Sequence, residues 1–290
     1  MKLNLFAAAA SAAILLSACG GGSDGPRTVE VTPPPVTSAA TITSVTPETT
    51  IRYGQPVRFT VAGTNLTSGV TLASAGCATP ATVAGATATQ IVMTCVPTRS
   101  GAVAVNFSPT NSTVVTTVTP SVPVPQVKMV TTKGDIVLEL YPNNTPITVA
   151  NFMQYVNSGY YNGKQFHRVI SSFVIQGGGY DANFSKGTQN APIALEVGKG
   201  LSNTRGTIAM ARSSDLNSAT SEFFINTVDN DGSGLNNLNT SGGGYAVFGK
   251  VISGMETVDA IRVVPTGTIA PLGQDVPTTP IFITTATQVQ

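Results

Sequence analysis

The sequence is poor in charge, contains no tryptophan and has a single histidine, His167. Its 15 lysines and arginines and 14 aspartates and glutamates give a net charge of +1, and no run of basic residues occurs. A chain without a positive field has no electrostatic basis for binding nucleic acid, so we exclude that class of partner. A multi-histidine metal site is excluded as well, because one histidine cannot form it.

The first residues indicate export rather than a folded segment. Residues 5–16 form an apolar run that is too short to span a bilayer, which is typical of a signal peptide over residues 1–18. The run ends in Leu-Ser-Ala-Cys, which resembles the lipobox of bacterial lipoproteins and implies a lipid on Cys19. Gly20 resembles the residue found after that cysteine in lipoproteins sent to the outer membrane. We expect membrane attachment through Cys19, at the outer membrane facing the periplasm; the alternative is an ordinary secretory signal cleaved nearby.

Residues 19–40 are predicted to be a tether, flexible where glycine is frequent and extended at Pro33, Pro34 and Pro35. In the whole chain only 10% of the residues are charged, while threonine, valine, glycine and alanine are abundant. This composition favours strands and turns over long surface helices. With 290 residues, the chain is long enough for two domains, and we expect both to be mainly β.

Residues 41–119 are predicted to form a small β module. Short runs rich in valine, threonine and isoleucine alternate with turn residues, at the spacing of a β-sandwich. The runs are 57–61, 70–72, 90–94 and 102–105. Cys77 and Cys95 fall inside the module, and an oxidising compartment would permit a disulfide; two buried free thiols are the alternative. The module loosely resembles the immunoglobulin-like repeats of bacterial surface proteins. It has no histidine and one carboxylate, Glu48, so we interpret it as a spacer or a binding module.

A proline-rich hinge is predicted at 120–125, and the pattern changes after it. Alternating apolar residues predict a strand around 136–140, and Thr145 is placed to cap a helix that Gly159 stops. Strands are predicted at 169–175, 208–211, 223–226 and 246–251. Ser253 and Glu256 have the spacing of a capping box before a second helix.

Seven short motifs of this half occur in the order found in one family. They are KGDI (133–136), TVANF (148–152), FHRVI (166–170), FVIQGG (173–178), RGTIAMA (205–211), FFI (223–225) and VFGKV (247–251). They resemble the cyclophilin-type peptidyl-prolyl cis/trans isomerases over residues 126–288. The resemblance implies a closed eight-stranded antiparallel β-barrel capped by two helices, with an outer groove for X-Pro segments. No cofactor is implied, because the reaction needs only hydrogen-bond donors and a pocket.

The resemblance also implies roles for individual residues. Arg168 is the catalytic residue, Gln176 orients the substrate backbone, and Phe173, Met210 and Phe224 form the proline pocket. Val174 and Ala211 complete the groove, and His167 is interpreted as structural.

The chain departs from the family pattern at several groove positions. Glu222 replaces a glutamine; an ionised carboxylate accepts but cannot donate a hydrogen bond, so we expect weaker orientation or a shift toward substrates with basic neighbours. Arg212 and Tyr245 replace an asparagine and a histidine. The loop 231–244 is remodelled, and either Leu235 or Leu238 fills its leucine position.

The predicted function is isomerisation of X-Pro bonds in unfolded or exported proteins. One alternative is a low-turnover module that binds proline-containing peptides. A second is a purely structural envelope lipoprotein, which would leave the groove residues unexplained.

Overall fold

A computed structural model describes residues 39–234 and 236–290. The predicted signal peptide, Cys19 and Leu235 lie outside the described residues, as does the tether up to residue 38. Among the described residues no helix has the length and apolar character needed to cross a membrane. The strands of the N-terminal region are β1 (Thr41–Pro47), β2 (Val57–Thr64), β3 (Val70–Ala73), β4 (Cys77–Thr82), β5 (Gln90–Pro97), β6 (Gly101–Ala102), β7 (Val105–Pro109), β8 (Thr116–Val118) and β9 (Ser121–Val122).

The C-terminal region contains two α-helices among further strands. Its elements are β10 (Gln126–Thr131), β11 (Gly134–Leu140), α1 (Pro146–Asn157), β12 (Phe166–Val169), β13 (Val174–Gly177), β14 (Thr207–Met210), β15 (Phe223–Asn226), β16 (Val247–Ser253), α2 (Met255–Arg262), β17 (Thr266–Ile269), β18 (Gly273–Pro277) and β19 (Ile283–Gln288).

The N-terminal module consists of two antiparallel sheets, ordered β1-β2-β5-β4 and β3-β7-β8. Alternation along β2 buries Val57, Phe59 and Val61, and Phe59 packs against Phe107 of the second sheet with 5.3 Å between ring centroids. The run predicted at 102–105 is divided between β6 and β7. The likeness to immunoglobulin-like repeats stays a prediction.

A disulfide joins Cys77 on β4 to Cys95 on β5, with 5.5 Å between the Cα atoms. Both residues are buried, and their strands are neighbours in the four-stranded sheet. The alternative of two free thiols therefore does not describe this structure.

The segment predicted to be a hinge is held by backbone hydrogen bonds on both sides. Val103 N donates to Pro120 O at 3.0 Å, β6 pairs with β9, and Leu140 N donates to Pro125 O at 3.0 Å. Ser100 and Asn143 also exchange two hydrogen bonds between the module and the C-terminal region. Pro120 and Pro125 thus take part through their carbonyl oxygens, since proline has no N–H to donate. The hinge stays a prediction.

The C-terminal region is an eight-stranded antiparallel sheet ordered β12-β13-β15-β14-β16-β11-β10-β19. Alternate residues point into its curl, so that Ile136, Leu138 and Leu140 of β11 are fully buried. The predicted closed barrel is wrong in one respect: the sheet is open, since β12 and β19 form no ladder. The residues just before them form one isolated bridge, Gln165 with Phe282. Backbone hydrogen bonds also join Phe166 to Ile281 and Ile283 to Gly163 and Lys164.

Both helices lie where the sequence predicts them, but their N-terminal caps differ. Thr145 makes no side-chain cap; instead Glu196 accepts hydrogen bonds from Ile147 N and Thr148 N at 3.3 and 2.8 Å. The N-cap of α2 is Gly254 at φ 91°, and no side-chain cap forms, so the predicted capping box is absent. Glu196 lies 48 residues after Thr148, so this cap of α1 arises from tertiary packing and leaves no local signal in the sequence.

Candidate active site

A hairpin brings Arg168 and Gln176 together. The single strand predicted at 169–175 is in fact β12, a tight turn and β13, with Phe173 N donating to Ile170 O at 3.0 Å in the turn. In the resulting register Arg168 lies directly opposite Gln176, and Arg168 Nη1 donates to Gln176 Oε1 at 3.3 Å. The guanidinium also lies 5.8 Å from the centroid of the Phe173 ring.

A small pocket of about 130 Å³ opens beside this pair on the outer face of the sheet. Its floor is formed by Val174, Phe224 and Leu238, which belong to a second hydrophobic cluster separate from the main core. Ala209 and Val247 complete that cluster. Nine residues line the pocket: Arg168, Phe173, Val174, Gln176, Ala211, Arg212, Phe224, Leu238 and Tyr245. The structure thus brings together all of the predicted groove residues except Met210, Glu222 and the undescribed Leu235.

Met210 does not line the pocket, contrary to the prediction. It is 2% exposed and belongs to the main core inside the curled sheet. Successive residues of a strand point to opposite faces, so Ala209 and Ala211 lie on the side of the second cluster, where Ala211 lines the pocket, while Met210 faces the interior. Three consecutive residues of a motif, here 209–211, therefore cannot all lie on one face of the sheet.

The loop between β15 and β16 supplies one wall of the pocket through Leu238 and Tyr245. Tyr245 packs edge-on against Phe224, with ring centroids 5.6 Å apart. Arg212 holds this loop: its guanidinium donates to Gly242 O and Gly244 O and lies 4.5 Å from the centroid of the Tyr245 ring. Arg212 therefore stabilises the pocket wall.

Buried asparagines that were not among the predicted site residues anchor the same loop. Asn230 Nδ2 donates to Phe173 O at 2.8 Å and to Asn226 Oδ1 at 2.8 Å. Asn226 donates in turn to Asn203 Oδ1 at 3.2 Å, and Asn203 to Asn239 Oδ1 at 3.1 Å. The richness of 226–239 in asparagine was the available signal, but composition alone indicated only a loop.

A larger pocket of about 510 Å³ adjoins the first, and the two share Arg168, Gln176, Ala211 and Arg212. Its other walls include His167, Tyr180, Lys186 and Glu222. Lys186 and Tyr180 were not among the predicted site residues; both lie after β13, in a segment without helix or strand.

Glu222 lines this larger pocket, and both of its carboxylate oxygens are engaged. Lys186 Nζ lies 2.7 Å from Oε1, while Gln176 Nε2 and His167 Nε2 lie 2.9 and 3.3 Å from Oε2. Burial alone would raise the pKa of Glu222, but the hydrogen bonds from His167 and Lys186 bring that pKa down to about 2. The expected preference for basic neighbours assumed an unpaired carboxylate, so its physical basis is removed.

His167 is 6% exposed and packs edge-on against Tyr180, with ring centroids 4.9 Å apart. Its contact with Glu222 places it at the edge of the larger pocket. Among the described residues there is no group of three or more histidine, cysteine, aspartate or glutamate side chains that could hold a metal ion.

Comparison with known proteins assigns the C-terminal region. Residues 126–288 match the family described as cyclophilin type peptidyl-prolyl cis-trans isomerase/CLD. The chain belongs to this family. Its isomerase domain is 51% identical over 157 residues to a peptidyl-prolyl cis-trans isomerase of Acinetobacter baylyi, covering 54% of this chain and 81% of the relative.

Two further bacterial relatives are similar over the same region. Peptidyl-prolyl cis-trans isomerase A of Dickeya dadantii is 47% identical over 160 residues, covering 55% of this chain and 82% of that protein. Peptidyl-prolyl cis-trans isomerase B of Escherichia coli is 45% identical over 157 residues, covering 54% and 95%. The chain is therefore a cyclophilin-type isomerase that acts on proline-containing peptides.

Proposed function

We propose that Arg168 is the catalytic residue and that it accelerates rotation about X-Pro bonds of exported or envelope proteins. An X-Pro bond turns slowly because amide resonance imposes a barrier of about 18–20 kcal/mol. A donor that hydrogen-bonds the prolyl nitrogen withdraws its lone pair from resonance and lowers this barrier. No proton is transferred and no bond is broken.

One observation carries this proposal: Arg168 lies at the junction of the two pockets, and most of its N–H donors make no hydrogen bond to the described residues. Its guanidinium bonds to Gln176 alone among the described residues, and a guanidinium has five N–H donors. Arginine stays charged and planar, so these donors are ready without reorganisation. The floor of apolar side chains beside it limits water and so strengthens a hydrogen bond to the substrate.

We assign the smaller pocket to the proline ring of the substrate. Phe173, Val174, Phe224 and Leu238 supply its apolar surface, and Ala211 leaves room at the junction with the larger pocket. Tyr245 and Arg212 close the far wall. Gln176 orients the substrate backbone from the edge of the pocket.

We further propose that a lipid on Cys19 attaches the protein to the envelope, at the periplasmic face of the outer membrane. The lipobox-like Leu-Ser-Ala-Cys after a short apolar run supports this attachment. The disulfide between Cys77 and Cys95 supports an oxidising compartment. The N-terminal module then acts as an immunoglobulin-like spacer between the anchor and the isomerase domain.

A second candidate is a low-turnover module that binds proline-containing peptides. The observation that favours it is the state of Gln176, whose amide is engaged at both ends by Arg168 and Glu222. A substrate must compete with these partners before Gln176 can orient its backbone, which favours low turnover.

The deciding experiment measures cis-to-trans isomerisation of a short X-Pro peptide by the signal-free protein and by Arg168→Ala. We expect loss of about 100-fold or more in kcat/KM, the scale seen when a preorganised donor is removed. Arg58→Ala, which removes an exposed arginine from β2 of the module, is the matched control and should keep full activity. Equal activity of Arg168→Ala and the wild type would refute the assignment. Tight peptide binding without turnover in the wild type would select the binding module.

A further inference from the structure

A row of hydrogen bonds connects the guanidinium of Arg168 to a carboxylate that lies outside the proline pocket. Arg168 Nη1 donates to Gln176 Oε1 at 3.3 Å, and Gln176 Nε2 donates to Glu222 Oε2 at 2.9 Å. Glu222 does not line the smaller pocket, but its side chain is connected to Arg168 of that pocket through Gln176.

The chemistry of the three groups permits only one orientation of the Gln176 amide. An ionised carboxylate only accepts hydrogen bonds and a guanidinium only donates them. The NH₂ end of Gln176 must therefore face Glu222, and its carbonyl oxygen must face Arg168. The flipped amide would set two donors against each other at Arg168 and two acceptors against each other at Glu222.

Glu222 is itself held from several directions. Lys186 and His167 bind its two oxygens, and the backbone of Gly179 packs against its side chain. A Cβ at position 179 would lie 2.8 Å from Glu222 Cδ, so glycine is needed for this close approach. The loop that carries Lys186 is fixed in turn, since Lys164 Nζ donates to Ser185 O and Lys186 O at 3.2 and 3.0 Å. These contacts hold the Glu222 carboxylate in one position.

We propose that Glu222 is a positioning residue of the isomerase, which fixes the amide orientation of Gln176 and through it the guanidinium of Arg168. The inference rests on the proposed role of Arg168. It assigns to Glu222 an indirect role in place of the substrate contact expected from the sequence. Apart from the Phe173 ring, Arg168 is held by a single neutral oxygen, so its rotamer depends on whether that oxygen is itself fixed.

A double-mutant cycle tests the route through Gln176. We expect Glu222→Ala to lower kcat/KM about tenfold, as the loss of one charge-assisted hydrogen bond would. Glu222→Ala in a Gln176→Ala background should then cause no further loss, because the intermediary is already gone. A purely structural role predicts additive losses, and additivity would overturn the proposal. Glu256→Ala, which removes an exposed carboxylate at the start of α2, is the control and should keep full activity.

A spectroscopic readout separates this inference from the assignment of Arg168. The side-chain NH₂ resonances of Gln176, assigned by their absence in Gln176→Ala, should be shifted by the carboxylate and exchange slowly with solvent. Glu222→Gln is nearly isosteric and offers both a donor and an acceptor, so it should shift these resonances and speed their exchange.

The outcomes are distinguishable. Unchanged Gln176 resonances in Glu222→Gln would overturn the positioning role even if Arg168→Ala is inactive. An active Arg168→Ala together with shifted Gln176 resonances would refute only the catalytic assignment. If Glu222→Ala fails to fold, the resonances and kcat/KM of Glu222→Gln decide the question, with a loss of about threefold expected and no loss contradicting it.

Discussion

The two regions of the chain are both built from antiparallel strands, but they differ in their ion pairs. Within residues 39–119, all of them described, there is no ion pair; the cross-sheet packing of Phe59 and Phe107 and one disulfide hold the module together. Every ion pair among the described residues lies in the isomerase domain. Four charged side chains there line the pockets: Arg168, Lys186, Arg212 and Glu222.

The difference lies in what each sheet has on its outer face. In the module, strand β4 exposes five of its six residues to solvent. In the isomerase domain, the outer face of β13, β14 and β15 carries a second hydrophobic cluster that a long loop partly covers. This cluster supplies apolar surface to a pocket. We therefore expect a division between the two regions, in which the disulfide-linked module folds without supporting the pockets of the isomerase domain.

Removal of the disulfide is the test of this division for which we expect the largest effect. The double variant Cys77→Ala, Cys95→Ala should lower the free energy of unfolding of the module by about 3 kcal/mol, because the crosslink closes a loop of 18 residues in the unfolded chain. Amide hydrogen exchange in β2 and β5 measures this loss. Isomerase activity should not change.

Parallel losses of exchange protection in β13 and β15 would contradict the division, since they would show that the module supports the isomerase domain. A serine double variant at the same positions is the control for packing of the cysteine side chains.

A second test concerns acid stability of the isomerase domain. The folded pKa of Glu222 is about 2, below its ordinary 4.5, so the unfolded chain binds the extra proton first as pH falls. The stabilisation is complete above pH 4.5 and is lost as pH falls toward 2; its full extent is on the order of 3 kcal/mol. Exchange protection in β13 and β15 should fall over this window in the wild type more than in Glu222→Gln. Identical pH profiles would contradict the ionised, paired Glu222.

The smallest expected effect concerns the charge of the substrate. Arg168, Lys186 and Arg212 face the larger pocket with Glu222 as their only carboxylate among its lining residues, which leaves a net positive wall. Peptides with glutamate shortly before the X-Pro bond should be turned over a few-fold faster than peptides with lysine, the scale of partly screened ion pairs. The difference should narrow in 0.5 M salt. Faster turnover of the lysine peptides at low salt would refute this preference.

Much of the isomerase domain could be predicted from the sequence because its signals are local. The alternation of Ile136, Leu138 and Leu140 predicted β11, and Gly159, at φ 71°, follows the end of α1 as expected of a left-handed stop. The motifs around Arg168 and Gln176 indicated the family.

Two of the wrong predictions have different causes. A partner distant in sequence decided the first, since Glu196 took the capping role expected of Thr145. Met210 was misplaced because the prediction treated a motif as one surface, whereas strand alternation divides it between two.

Composition and local motifs were enough to predict a strand-rich chain, its two helices and a cyclophilin-type isomerase. Tertiary packing placed Arg168 opposite Gln176, brought Leu238 into the pocket and Arg212 against the loop, and paired Glu222 with Gln176, His167 and Lys186. The reason is physical: strand and helix periodicity act over a few residues, whereas a hydrogen bond or an ion pair depends on distances that are set when segments far apart in sequence pack together.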